Sequence, residues 1–234
     1  MHLIRASDAA DAAALAAGEI ARACRRAVAE RGIATIAVSG GETPWRMLES
    51  LRALDLPWRD IHVAQVDERI APHGDPRRNL TRLEQILVTD GALPRGHLLA
   101  MPVEAADLDA AAAEYQRRLE SIAGRPLVLD LVQLGLGADG HTASLVPGDP
   151  LLDVVDRDVA LSREYQGLRR LTLTCPAIDR ARRRLWLVTG AAKAARLADL
   201  VNDDVAGDAP ALRVSRANAI AVADEAALAS LPPK

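Results

Sequence analysis

Apolar positions along the chain follow two rhythms that repeatedly exchange places. Solid apolar runs of strand length occur at 33–38, 61–66, 127–134, 184–189 and 219–223, as suits strands buried on both faces of a parallel sheet. Between them lie stretches with apolar residues at helical spacing, at 8–31, 44–54, 78–87, 105–122 and 191–201, and a last helix is expected from Asp224 onward. Ser7 or Asp8 is placed to cap the first helix, and Pro44 falls in the first turn of the second. A short strand is expected at 97–101, and 154–161 and 169–174 read as antiparallel neighbours. The alternation predicts an α/β fold: a mostly parallel sheet with helices on both faces, a Rossmann-like three-layer sandwich. No repeat, linker or break in composition divides 1–234, so a single domain is expected, with 149–175 as the one stretch that would form a small subsection.

Composition narrows the partners. Half of the residues are hydrophobic but only 2% are aromatic and Phe is absent, so Leu, Val, Ile and Ala must fill the core. The aromatic platforms that single-stranded nucleic acid needs are scarce. A net charge of -3 without a basic block argues against any polyanion. No segment reaches membrane-spanning length and the amino terminus lacks a secretory pattern, so the expectation is a soluble cytoplasmic protein, monomer or small homo-oligomer, with a small-molecule substrate and neither nucleic acid nor membrane as partner. Cys24 and Cys175 make no metal-type or disulfide pattern and read as small buried hydrophobes. Of 29 lysines and arginines only Lys193 and Lys234 are lysines. Lys193 is thus either a residue left on a helix surface or a compact, mobile charge that arginine does not reproduce.

The candidate chemistry sits where apolar strands end. Val38 runs into Ser39-Gly40-Gly41-Glu42-Thr43-Pro44, Val66 into Asp67-Glu68-Arg69, Leu134 into Gly135-Leu136-Gly137-Ala138-Asp139-Gly140-His141-Thr142-Ala143-Ser144, and Thr189 into Gly190 and Lys193. In a parallel sheet these turns lie at one edge and would share a crevice. The Ser39–Pro44 turn is either an ordinary tight turn or an anion cradle, with helix-start amides and glycines that let a phosphate approach; it lacks the Gly-Lys-Ser/Thr ending of a P-loop. The Asp67-Glu68-Arg69 triplet is either a solvated turn or a source of catalytic groups. In the second case Arg69 would hold a developing oxyanion, and Asp67 would bind sugar hydroxyls or orient a histidine. His141, among glycines, is the acid/base candidate. No HExxH pair or ligand cluster points to a metal. No GxSxG elbow is present either, although this leaves Ser39 and Ser144 open as nucleophiles.

The ordered set Ser39–Pro44, Asp67-Glu68-Arg69, the helix start at Asn79, the Gly135–Gly148 run and Thr189–Ala194 resembles the 6-phosphogluconolactonase family. The resemblance spans nearly the whole chain. It implies a fold like that of glucosamine-6-phosphate deaminase and ribose-5-phosphate isomerase, and hydrolysis of 6-phospho-D-glucono-1,5-lactone to 6-phosphogluconate in the oxidative pentose phosphate pathway, with no cofactor or obligatory metal. It further implies His141 as the base toward water, and Arg69 as the group that polarises the carbonyl or holds the oxyanion, with Asp67 beside them. Ser39, Gly40, Gly41, Thr43, Asn79, Gly137, Asp139, Gly140, Arg170 and Lys193 would line the substrate and phosphate site. Glu42 stands where the family often has serine, Val146 where phenylalanine is usual, and Arg78 where serine is common. The rival enzyme reading is an amino-sugar-phosphate deaminase or isomerase, whose loop usually reads Asp-Glu-Tyr; the rival outside enzymes is a phosphosugar-sensing domain, which normally carries a helix-turn-helix.

Overall fold

The structure, a computed structural model, describes residues 1–202, 205 and 207–231, so Lys234 lies outside the described residues. The chain opens with β1 (His2–Ala6), a five-residue strand too short for its hydrophobic pattern to signal. Asp8 then caps α1 (Ala9–Arg31): its carboxylate accepts the amides of Ala10 and Asp11 at 2.8 Å, while Ser7 donates to Asp11 instead. Gly32, at φ 76°, closes the helix in the left-handed conformation that glycine adopts without strain. The buried face of α1 is Ala12, Ala13, Ala16, Ala17, Ile20, Ala21, Cys24 and Ala27, small residues that bring the helix close to the sheet.

After α1 come β2 (Ala34–Val38), α2 (Glu42–Arg52), β3 (Ile61–Gln65) and the three-residue β4 (Asp67–Arg69). Next are α3 (Asn79–Leu83), which runs on into a wider turn over Glu84–Thr89, then β5 (Leu98–Leu99) and α4 (Leu108–Ala123), capped by Asp107. The second half holds β6 (Leu131–Leu134), β7 (Val159–Leu161), β8 (Arg170–Leu173), α5 (Cys175–Arg180), β9 (Arg184–Val188), α6 (Ala194–Val201), α7 (Pro210–Arg213) and β10 (Ala219–Asp224).

Seven strands form one parallel sheet in the order β1-β10-β9-β6-β2-β3-β5. From β2 the chain winds through β3 to β5 at one edge; from β6 it winds through β9 and β10 toward the other. The reversal falls between β2 and β6, and in open α/β sheets ligands bind at the carboxyl ends flanking such a switch. Side chains alternate between two cores, with Ile36, Val38 and Val63 packed under α1 and α2, and Ala37, Ala64, Val132 and Trp186 on the other side with Tyr115 of α4. Burial pushes the Cys24 thiol up to about 12 and the Cys175 thiol up to about 11, so both are inert hydrophobes as expected.

The structure corrects two expectations. Asp67-Glu68-Arg69 is a strand, because Val66 hands the chain from one sheet to another: its amide donates to Val38 and its carbonyl accepts from Leu173. β4 pairs antiparallel with β8, and β8 with β7, making a second sheet. The helix expected from Asp224 is a series of turns; the Asp224 carboxylate accepts the amides of Ala227 at 2.8 Å and Gly190 at 3.0 Å, which folds the chain back toward β9.

Glu68 ties β4 to α3. Its side chain is fully buried, and its oxygens accept the amides of Arg69, Asn79 and Leu80 and the Gln65 side chain, all at 2.8 Å, with the buried Arg78 guanidinium 3.6 Å away. Arg78 reaches on to Glu104 at 3.2 Å, which accounts for an arginine at that position. Glu68→Ala leaves the buried Arg78 with Glu104 alone and strands the amides of Asn79 and Leu80. The expected loss is about 3–5 kcal/mol, read as a lower urea midpoint.

Candidate functional site

A cavity of about 310 Å³ opens at the carboxyl ends of β2, β3, β6 and β9, lined by Ser39 to Pro44, Asp67, Arg69, Asn79, Gly135 to Gly137, His141, Ala143 and Leu187 to Lys193 in part. All four turns singled out in the sequence therefore meet. A larger cavity, about 680 Å³, lies at the opposite edge beside the starts of β1, β6, β9 and β10. Its acidic groups are already engaged: Arg26 pairs with Glu30, and Arg31 and Arg182 with Asp130.

The wall near β2 is a helix start. Gly41 adopts φ 126° as the residue before α2, a conformation strained for any residue with a side chain. The amide end of α2 faces the cavity with no side chain capping it, an arrangement suited to an anion. Ser39 lines this wall, but its hydroxyl donates to the Gln133 carbonyl at 3.0 Å, fixing β2 to β6. Thr43 and Thr189 hydroxyls meet at 2.7 Å across the cavity. Glu42 is exposed and stands among the residues that line this end of the cavity. Lys193 lines the same end, and its ammonium group has no carboxylate within ion-pairing reach among the described residues.

Arg69 forms the opposite wall. Its guanidinium donates to Asn79 Oδ1, and Asn79 Nδ2 donates back to the Asp67 carbonyl at 2.9 Å. Gly40 is what lets Asn79 come so near: a β-carbon there would overlap the Asn79 amide. Asp67 is buried and accepts the Ser144 hydroxyl at 2.6 Å. It does not touch the histidine.

That partner is Asp139. His141 Nδ1 lies 2.6 Å from Asp139 Oδ1, which also accepts the His141 amide. The contact assigns the proton to Nδ1 and leaves Nε2 as the lone-pair nitrogen. The Tyr165 hydroxyl donates to Asp139 Oδ2 at 3.0 Å. Burial pushes the Asp139 carboxyl up, but the donors from His141 and Tyr165 outweigh it and hold the group below the usual carboxylate range. Gly137 leaves room for the imidazole, since a β-carbon there would overlap both the His141 ring and the Asp139 carboxylate.

Three expected site residues stand elsewhere. Asp139 and Gly140 support His141 from outside the cavity: Asp139 by its carboxylate, Gly140 by a turn at φ 87° with Ala209 packed against it. Arg170 lines an adjoining hollow with Arg69, where it donates to the carbonyls of Tyr165 and Leu168, and burial together with the nearby Arg69 charge lowers its affinity for a proton. Sequence reasoning missed Tyr165, gave Glu68 no role of its own within the charged triplet, and named Ser144 only as an open nucleophile. Asp139 carried a readable signal, because an Asx side chain bonds backbone two residues on. Among the described residues no group of three or more His, Cys, Asp or Glu is placed to hold a metal, and no helix is long and apolar enough to cross a membrane.

The chain matches the family of glucosamine-6-phosphate isomerases and 6-phosphogluconolactonase over residues 7–222. It is 41% identical over 181 residues to a protein of Synechocystis named 6-phosphogluconolactonase, covering 75% of this chain and 74% of that one. Its structure resembles the 6-phosphogluconolactonase of Trypanosoma cruzi with a TM-score of 0.88 at 23% identity, covering 99% of this chain and 97% of that one. It also resembles a monomeric glucosamine-6-phosphate deaminase with a TM-score of 0.85 at 18% identity, over 98% of this chain and 100% of that one.

Gly137→Ala should push His141 off Asp139 while leaving both cores untouched. Catalytic turnover is expected to fall by about 10²-fold or more, with a thermal midpoint close to that of the parent chain. Steady-state rates and a melting curve on the same sample check both halves.

Proposed function

The chain belongs to the glucosamine-6-phosphate isomerase and 6-phosphogluconolactonase family, and we infer that within it this protein is a 6-phosphogluconolactonase. It hydrolyses 6-phospho-D-glucono-1,5-lactone to 6-phosphogluconate. The observation that carries the mechanism is the Nδ1 contact of His141 with Asp139 at 2.6 Å, which leaves Nε2 free to act on water in the cavity.

In the reading proposed, His141 Nε2 takes a proton from water as the water oxygen attacks the lactone carbonyl carbon. The Asp139 carboxylate stabilises the imidazolium that forms. The carbonyl π electrons move to oxygen, and the Arg69 guanidinium, held by Asn79, faces that developing charge. Collapse restores the carbonyl and breaks the bond to the ring oxygen, which takes the proton back from His141 and becomes the C5 hydroxyl. The δ-lactone is already an activated ester. A positioned base contributes about 10²–10⁴-fold, and oxyanion contact and positioning add to it.

The 6-phosphate is assigned to the other end, on the Gly40-Gly41-Glu42-Thr43 turn at the start of α2, with Lys193 as its countercharge. A phosphate anchored there holds the carbonyl at a fixed distance, beside His141. Every group in the scheme comes from one chain, so neither a partner subunit nor a nucleic acid is asked for. Free cysteines and a phosphosugar substrate support a reducing compartment, the cytoplasm, as the place of work.

His141→Ala is expected to lower enzymatic hydrolysis of freshly made 6-phosphogluconolactone by about 10²–10⁴-fold, corrected for the spontaneous reaction, with 6-phosphogluconate still bound. Turnover near that of the parent would remove His141 as the base. Lys193→Ala should raise KM for the phosphorylated lactone about tenfold and leave KM for δ-gluconolactone unchanged. An equal rise for both lactones would take Lys193 out of the phosphate site.

A further inference from the structure

The β7–β8 connection places an aromatic side chain against the base. It is a tight hairpin in which Tyr165 and Leu168 bridge across Gln166 at φ 54° and Gly167 at φ 77°. Arg170, buried at the start of β8, braces it from below. Its guanidinium donates to the carbonyls of Tyr165 and Leu168, and its central carbon lies 5.3 Å over the Tyr165 ring. The ring in turn stands edge-on to His141, with centroids 5.6 Å apart at 61°. The hydroxyl donates to Asp139 Oδ2 at 3.0 Å while Oδ1 serves His141. One carboxylate therefore answers to two side-chain donors, one from each sheet's loops, besides the His141 amide.

We propose that Tyr165 is a positioning residue for the Asp139–His141 pair, fixing the carboxylate and sharing its charge, so that less of that charge is left against His141 Nδ1. The inference rests on His141 being the base. A carboxylate facing an imidazole favours the protonated ring, and a protonated ring cannot take a proton from water. Sharing Asp139 with a hydroxyl disperses the negative charge over the second oxygen and leaves less of it against Nδ1. Burial, and then donation to Asp139, push the Tyr165 hydroxyl up, so it stays a donor throughout the working pH range. The other charged groups around the pair are the cations Arg170 beneath the tyrosine, Arg69 and Lys193 along the cavity and Arg196 near Gly140, and the acids Asp67, bonded to Ser144, and Glu42 in the cavity lining. Tyr165 is the neutral group that engages the carboxylate directly, and it sets how much of the Asp139 charge reaches His141.

Tyr165→Phe removes the hydroxyl and keeps the ring on Arg170 and His141. On 6-phosphogluconolactone, kcat is expected to fall about tenfold with KM within about twofold of the parent. The acid limb of the rate profile should move up by about half a pH unit, because the unshared carboxylate holds the imidazolium more firmly. An unmoved limb, a limb that moves down, or a loss confined to KM would overturn the proposal. A merely structural loss lowers the amplitude in proportion to the folded fraction and leaves the limb where it was, so an unstable variant still decides. His141→Ala, assayed alongside, separates the two readings. If it retains turnover the base assignment falls; if it is inactive while Tyr165→Phe behaves as the parent, only the role of Tyr165 falls.

Discussion

A carboxylate withdrawn from water must be answered by donors on every side, and Glu68 collects them from three directions. Backbone amides of β4 and α3 and the Gln65 side chain all point to its two oxygens, with the Arg78 guanidinium behind. This knot decides where Arg69 and Asn79 stand. Arg69 is the next residue along β4, and Asn79 is the first residue of α3, so neither can shift without breaking a bond to the same carboxylate. The Arg69–Asn79 contact that faces the cavity is thus made by backbone tied elsewhere. That is how a polar site acquires rigid geometry on short elements.

Glycine supplies the complementary constraint on the other two walls. Gly40 and Gly137 are the positions where a single added carbon would strike a functional side chain, the Asn79 amide in one case and the His141 ring in the other. These glycines are needed for side-chain approach and not for a left-handed backbone. Gly41 is needed for its backbone, since φ 126° opens the first turn of α2 toward the cavity. Adjacent glycines in one turn therefore have different physical duties.

The parallel sheet and the meeting of four strand ends were legible because they follow from period and length alone: β2, β3, β6 and β9 are short apolar runs that stop at glycine or charge. What was not legible is non-local. β4 is composed of three charged residues and reads as a turn; it is a strand only because β8, far along the chain, offers it an antiparallel edge. Asp67 was read as meeting either sugar hydroxyls or the histidine, and Asp139 as lining the substrate site; it is Asp139 that bonds His141. Asp67 meets Ser144 from another loop, which no spacing announces, whereas the Asp139 contact to His141 is local and could be read from the Asp-Gly-His order. Tyr165 reaches the site from the second sheet, and the only hint was its rarity, one of two tyrosines in a chain without phenylalanine.

The hydroxyls of Ser39 and Ser144, the two candidate nucleophiles, have partners in the scaffold, as do those of Thr43 and Thr189. Ser39 donates to the Gln133 carbonyl, Ser144 to Asp67, and Thr43 and Thr189 face each other. None is bonded to His141, and a serine nucleophile needs its base in hydrogen-bond reach. The Ser144 hydroxyl is held by the Asp67 carboxylate and not by the imidazole. A cavity of about 310 Å³ has room for a phosphosugar and a water but gives that water one basic nitrogen to meet. For an ester already strained into a ring this is sufficient, because the acceleration required beyond the spontaneous reaction is small compared with that for an amide. In the reading proposed, one base and one cation act at the carbonyl, Lys193 answers the phosphate, and the nearby hydroxyls are engaged within the scaffold, an economy that suits the reactivity of a lactone.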